Sequence, residues 1–162
     1  MLSERDARTL AERALKLSSA EQTEVSVFTE DSSLTRFADN EIHQNVAQRD
    51  ATVAVRAAVG KRYGVGATND LSDAGLQEAV EQAVAIARAM PDMEEFLPPP
   101  EPRPVPAADG YSLATAEFGP LQRAAGVRVI CELAKEKGLT AAGAFKVDID
   151  GVTIVNSLGL YG

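Results

Sequence analysis

In residues 34–68, LTRFADNEIHQNVAQRDATVAVRAAVGKRYGVGAT, short alternating segments follow one another with connections of only a few residues. Parallel neighbours need a long crossover, normally a helix, and this run has no room for one. A meander of antiparallel strands is therefore what the stretch can form. Leu34–Ala38 and Glu41–Arg49 flank Asp39-Asn40, two residue types that tolerate the left-handed backbone of a tight hairpin turn. A further turn is expected at Asp50. Val53, Val55, Ala57 and Val59 then line one face of a strand that ends at Gly60-Lys61, a pair suited to a type II′ turn, and Arg62–Thr68 returns antiparallel. Upstream, Val25 and Val27 give Thr23–Thr29 the same period of two, with Asp31 and Ser32 suited to a turn.

Helical periods bracket the meander. Ser3 with Asp6 three residues on has the form of a capping box, and Ala7, Leu10, Ala11, Ala14 and Leu17 make one apolar stripe, so residues 4–17 are expected to be helical. Ser72 caps a second helix whose Leu76, Val80, Ala83, Val84 and Ala87 recur at helical spacing until Pro91. From Leu97 to Pro106 six prolines remove backbone donors and favour an extended, stiff strap. After the turn signal Asp109-Gly110, a third helix over 120–137 carries Val127, Ile130, Cys131 and Ala134 on one face and ends at Gly138. Ala144–Asp148 and Val152–Asn156 flank Asp150-Gly151, which reads as a C-terminal hairpin. The expected class is α+β: an antiparallel meander covered by helices over 1–96, a proline-rich strap over 97–110, and a helix plus hairpin over 111–162.

Composition narrows the function. Sixteen basic against 24 acidic residues give a formal charge of −8, which disfavours the phosphate attraction that drives most nucleic-acid binding. The N-terminus is charged and amphipathic rather than signal-like, and no run is apolar for long enough to span a bilayer, so a cytoplasmic protein is expected. The single cysteine, Cys131, sits in an aliphatic helical pattern and is expected to be a buried, inert thiol.

His43 is the only histidine, so zinc would have to be held without the usual His and Cys sets, and no metal site is expected in these residues. It alternates with Ile42 and Val46, which are expected to face the core and turn the imidazole away from it. Asp148 and Asp150 lack the remaining ligands of a calcium loop. Ser157 has neither a nearby histidine nor a Gly-x-Ser-x-Gly elbow, so no catalytic residue is assigned. Gly64 and Gly66 share one face of their strand and admit the close approach of another backbone, from a ligand or from the second helix. Arg36, Arg49 and Arg56 are strand arginines able to meet a carboxylate-bearing partner, and equally at home on a solvated face. Arg36, His43, Arg56, Gly64 and Gly66 are the candidate peptide- or partner-facing residues.

The run Leu34-Thr-Arg-Phe-Ala-Asp-Asn-Glu-Ile-His-Gln-Asn-Val46, followed by Val53-Ala-Val-Arg56, Gly60-Lys-Arg62 and Gly64-Val-Gly-Ala-Thr68, resembles the N-terminal domain of the TldD/PmbA family, also called modulators of DNA gyrase. The Leu71-Ser72 helix start, the proline-rich strap, the Gly138–Gly143 segment and Asn156-Ser-Leu-Gly159 extend the resemblance over essentially the whole chain. It implies a cytoplasmic peptidase system for peptides or unfolded segments, in which one subunit type binds zinc through a His-Glu-x-x-x-His helix of a C-terminal domain. That helix does not occur here, so zinc is expected only outside these residues. The chain is expected to be an N-terminal, noncatalytic portion that contributes to peptide access and to homo- or hetero-oligomeric assembly with a TldD/PmbA-type subunit. A binding or assembly module of a PmbA-like, non-hydrolytic partner is the alternative, and nothing before residue 162 chooses between the two types.

Overall fold

Ser3 caps the first helix through the spacing its sequence shows: its Oγ accepts from the Asp6 backbone N–H at 3.1 Å and donates to the Asp6 carboxylate at 2.6 Å. Helix α1, Glu4–Leu17, then buries Ala7, Leu10, Ala11 and Ala14, the stripe at three- and four-residue spacing. The computed structural model describes residues 2–106 and 110–162. Asp109, half of the expected Asp109-Gly110 turn, lies outside the described residues.

Strands β1 (Gln22–Ala38), β2 (Glu41–Val59), β3 (Arg62–Thr68) and β4 (Gly143–Asn156) form a four-stranded antiparallel sheet in the order β3-β2-β1-β4. With the helices that flank it, this is the α+β architecture that the short connections require. Asp39 and Asn40 take φ of +51° and +61°, left-handed at both central positions as a type I′ turn demands. Gly60, at φ +58°, opens the β2–β3 turn, and the strands pair from Val59↔Arg62 to Val53↔Thr68.

Three expected turns do not form. β1 runs straight through Asp31-Ser32, β2 through Asp50, and β4 through Asp150-Gly151. At the first of these places both turn-like side chains bond elsewhere: Asp31 accepts from Arg49 Nε at 2.8 Å, and the Ser32 hydroxyl donates to Asp148 at 2.8 Å. The C-terminal return occurs later, around Gly159 at φ +97°, where Ile154 and Gly162 exchange backbone hydrogen bonds of 2.7 and 3.0 Å.

The chain divides into two compact units, neither continuous in sequence. The first comprises Met1–Thr29, Asp50–Ala107 and Gly151–Gly162; the second comprises Glu30–Arg49 and Ala108–Asp150. The divisions within β1, β2 and β4 fall beside the three turn-like sites through which the strands run.

In the first unit, α1 and helix α2 (Asp73–Ala89) enclose an aliphatic core with Val25 and Val27 of β1 and Val53, Val55 and Ala57 of β2. Each large aliphatic side chain so buried contributes about 1.5–3 kcal/mol. Ser72 caps α2 by accepting from the Gly75 N–H at 3.2 Å. The described residues of the proline-rich strap, 97–106 and 110, form no helix or strand, and two of its early carbonyls are held by side chains. The Tyr63 hydroxyl donates to the Leu97 carbonyl, and Asn156 Nδ2 donates to that of Pro100 at 2.7 Å.

In the second unit a short helix that the sequence did not signal, α3 (Leu113–Ala116), precedes α4 (Pro120–Glu136). α4 buries Arg123, Val127, Cys131 and Ala134, and packs Val127 and Cys131 with Phe37. Cys131 is buried, as its apolar surroundings predicted. Ile130, expected on the same face, is exposed, because the inner stripe follows 123, 127, 131 and 134. Gly138, at φ +66°, ends the helix. No helix among the described residues is long and apolar enough to cross a membrane.

Candidate functional site

β3 reaches only as far as Val53 on its neighbour, so the earlier part of β2 has no strand beside it on that side among the described residues. Glu41–Arg49, which belong to the second unit, are exposed without interruption. The backbone N–H and C=O groups along that side are available to a further strand, and such an edge accepts an extended chain through main-chain bonds alone. Charged side chains at Glu41 and Arg49 flank it.

The faces of this segment differ from the expectation. Ile42 and Val46 are 42% and 38% exposed and meet no core. Asn45, which shares strand parity with His43, is instead the residue that bonds to α4, through Arg123. All of 41–49 is exposed, so the apolar alternation of Ile42 and Val46 here has no core to face. His43 is itself exposed, as is Arg36 on β1.

The remaining three candidates lie in the first unit. A Cβ added at Gly64 would come within 2.0 Å of the Ala83 carbonyl oxygen and 2.4 Å of the Ala87 nitrogen; one at Gly66 would come within 2.1 Å of the Ala79 oxygen. Both glycines are buried against the backbone of α2, so the close approach they permit here is that of a helix. Arg56 is on the opposite face of β2. Its Nη2 lies 3.0 Å from Glu24, its guanidinium stands 4.9 Å from the centre of the Tyr63 ring, and its buried Nε has no partner among the described residues. Tyr63 stacks on Phe96 at 4.7 Å, and burial raises its hydroxyl above the usual phenol range against the lowering influence of Arg56. The five candidates thus fall in two sets, Arg36 and His43 in one unit and Arg56, Gly64 and Gly66 in the other.

A cleft of about 290 Å³ opens in the second unit beside the N-terminus of α4, lined among others by Asp31, Asn45, Arg49, Phe118, Gly119 and Arg123. Arg123 is only 3% exposed. Its Nε donates to Thr35 Oγ1 at 3.2 Å, Nη1 to the Phe118 carbonyl at 3.0 Å and Nη2 to Asn45 Oδ1 at 3.1 Å. Thr35 Oγ1 donates in turn to Asn45 Oδ1 at 3.1 Å, closing a small network. All these acceptors are neutral. An apolar period does not pick out Arg123, although its place four residues before Val127, on the stripe of Cys131 and Ala134, is a visible signal in the sequence.

The other polar residues weighed from the sequence have local partners. Ser157 Oγ accepts from the Thr23 N–H at 3.0 Å while the Ser157 N–H donates to the Thr23 carbonyl at 2.8 Å, tying the strand end to the return. Asp148 lies 2.9 Å from Lys146, and hydrogen bonds first from Lys146 and then from Ser32 hold its carboxyl below the usual carboxylate range. Among the described residues no group of three His, Cys, Asp or Glu side chains is placed to hold a metal ion.

Residues 23–87 match the family model for domain 1 of the PmbA/TldA metallopeptidases. Among solved structures the chain is similar to TldE from Thermococcus kodakarensis, with 23% identity and a TM-score of 0.81 over 96% of this chain and 35% of that one. It is also similar to a candidate modulator of DNA gyrase from Bacteroides thetaiotaomicron, with 17% identity and a TM-score of 0.81 over 100% of this chain and 39% of that one. A third, a candidate modulator of a DNA gyrase from Thermotoga maritima, shows 14% identity and a TM-score of 0.76 over 96% and 36% of the two chains. The chain thus spans little more than a third of the length of these solved proteins. No curated protein matches the sequence.

Proposed function

We propose that this chain, whose residues 23–87 match the first-domain model of the PmbA/TldA metallopeptidases, acts as the noncatalytic N-terminal domain of a TldD/PmbA-type metallopeptidase system. Its work in that system is to admit extended peptides or unfolded segments and to contribute to subunit assembly, in the cytoplasm, while zinc and hydrolysis belong to residues outside this sequence. The observation that carries the reading is the unpaired side of β2 along Glu41–Arg49. Main-chain pairing along such an edge holds a chain by its backbone and makes few demands on its side chains, which suits varied peptide substrates.

Assembly has its own support. On α4, Leu121 and Val129 are 83% and 65% exposed, and Ile130 and Leu133 are also exposed. Apolar side chains so placed favour burial against another subunit. The same surface supports the second reading, an assembly module of a PmbA-like partner that does not hydrolyse peptides.

The test is made on the 162-residue chain. Metal analysis is expected to find no stoichiometric zinc, and a peptidase assay no cleavage; zinc at one equivalent with chelator-sensitive cleavage overturns the noncatalytic assignment. Hydrogen exchange with an unstructured peptide present is expected to slow at the amides of Glu41–Arg49. Unchanged exchange there at saturating peptide overturns the strand-addition reading.

A further inference from the structure

We propose that the cleft beside the N-terminus of α4 is a carboxylate-binding site whose principal ligand group is the buried guanidinium of Arg123. The inference is independent of strand addition at the β2 edge and of any peptidase activity.

The argument starts from charge. A guanidinium is always protonated at physiological pH and has five N–H donors. Three of the Arg123 donors are used, by Thr35, Phe118 and Asn45, and every acceptor is a neutral oxygen. One N–H on Nη1 and one on Nη2 remain without a partner among the described residues. No carboxylate there lies within ion-pairing distance of Arg123, although the chain as a whole has a large excess of acidic residues. Removing a cation from water without a counter-charge is costly, and a bound anion offsets that cost.

The surroundings fit a planar anion. Arg123 lines the cleft, and its two remaining donors sit on the two terminal nitrogens, the pair that grips a carboxylate in a bidentate fork. Gly119 and Pro120 also line the cleft, at the positive end of a 17-residue helix. The helix start is only half capped: Gln122 Oε1 accepts from the Gly119 N–H at 2.7 Å, but Gly119 has no side chain to return a bond to the first turn. Asp31, the acidic residue on the cleft wall, is already paired with Arg49 at 2.8 Å and does not reach Arg123. The volume accommodates a small carboxylate or the last residue of a chain, not a folded ligand.

The carboxylate could be that of a small acid or that of a peptide end, and the test separates the two. Acetate, N-acetyl-trialanine with a free C-terminus and the same peptide as its amide are titrated into the isotopically labelled 162-residue chain, following the Arg123 Nε–H and the amides of Gly119 and residues 121–123 by NMR. The free-acid peptide is expected to shift these signals saturably and to bind about tenfold or more tightly than the amide. Acetate binding as tightly as the free-acid peptide assigns the site to small carboxylates. Equal binding of free acid and amide, or no saturable shift with either carboxylate, overturns the proposal.

Replacing Arg123 itself risks the fold, so the decisive variant adds the missing charge. Asn45→Asp keeps the acceptor oxygen on Nη2 and supplies an internal carboxylate. It is expected to raise Tm while weakening the free-acid peptide about tenfold. Asn45→Asp that leaves peptide affinity unchanged overturns the assignment of Arg123 as the binding group.

Discussion

The carbonyl oxygen of Ala79 occupies the place where a side chain on Gly66 would begin: a Cβ built there lies 2.1 Å away. Gly64 stands in the same relation to Ala83 two residues earlier on β3. Neither obstacle is a flexible side chain, so α2 or β3 must move as a body to relieve the overlap.

Gly64→Ala and Gly66→Ala are therefore each expected to cost about 3 kcal/mol, at the upper end of overpacking effects. Val65→Ala, between them but on the exposed face, is expected to stay within about 0.5 kcal/mol of the parent. Urea midpoints of the three variants measure this. Gly64→Ala and Gly66→Ala variants as stable as the parent or more so, the result that strand propensity alone favours, would show that the helix contact does not set the cost.

Asn40 does two jobs at the β1–β2 turn. It takes a left-handed φ of +61°, and its side chain bridges to the loop after α4, donating to the Leu139 carbonyl at 2.8 Å and accepting from the Ala141 N–H at 2.7 Å. Asn40→Gly keeps the backbone freedom and loses the bridge, at an expected cost of about 1 kcal/mol. Asn40→Ala loses both and is expected to cost about 2 kcal/mol. Thermal unfolding of the pair separates the two jobs, and a glycine variant as stable as the parent would remove the bridge from the account.

The Arg56–Glu24 pair is coupled and incompletely satisfied, with Arg56 Nε buried and unpartnered. Arg56→Met leaves a mostly buried carboxylate behind, whereas Arg56→Met with Glu24→Gln removes both charges. Because Arg56 keeps partial contact with solvent, the pair is expected to be non-additive by about 1 kcal/mol or less, with the double variant more stable than the sum of the singles implies. A double-mutant cycle in urea measures the coupling, and strict additivity would refute it.

Asp148 gives the fold an acid-side dependence. Its carboxyl is held below the ordinary range by Lys146 and Ser32, so the bonds stabilise the folded state fully above the unfolded carboxyl pKa and are lost as pH falls through the folded one. Lys146 is raised by the same hydrogen bond, so its share is complete below the unfolded lysine pKa and disappears only as pH rises through the folded value. Asp148→Asn is expected to lower Tm at neutral pH and to converge with the parent in acid. Parallel Tm curves across that range would place the stabilisation elsewhere.

Local chemistry made α1 and α2 legible, because Ser3 and Ser72 fix where each helix starts and an apolar stripe says which side is buried. The meander was legible for a different reason, the shortness of its connections. Strand length was not. Asp31-Ser32, Asp50 and Asp150-Gly151 have the residues of turns, but flanking pairing holds the strands extended and lets Asp31 and Ser32 bond to Arg49 and Asp148. The exposure of Glu41–Arg49 was not legible, because Ile42 and Val46 obey alternation without having a core to enter. Arg123 escaped because a charged residue on an apolar stripe breaks the very pattern used to find the stripe, and its partners Thr35 and Asn45 are far away in sequence.

The division points within β1, β2 and β4 bear on how a gene for such a chain can be cut and recombined. Because each unit draws on separated stretches, no single breakpoint keeps both whole: a cut after Arg49 divides both, and a cut after Thr29 leaves the second whole but takes 1–29 from the first. An excision of 30–49 and 108–150 would have to rejoin the chain at two places at once. Shuffling can therefore move the pair only together, and a truncation that aims at one unit forfeits the other.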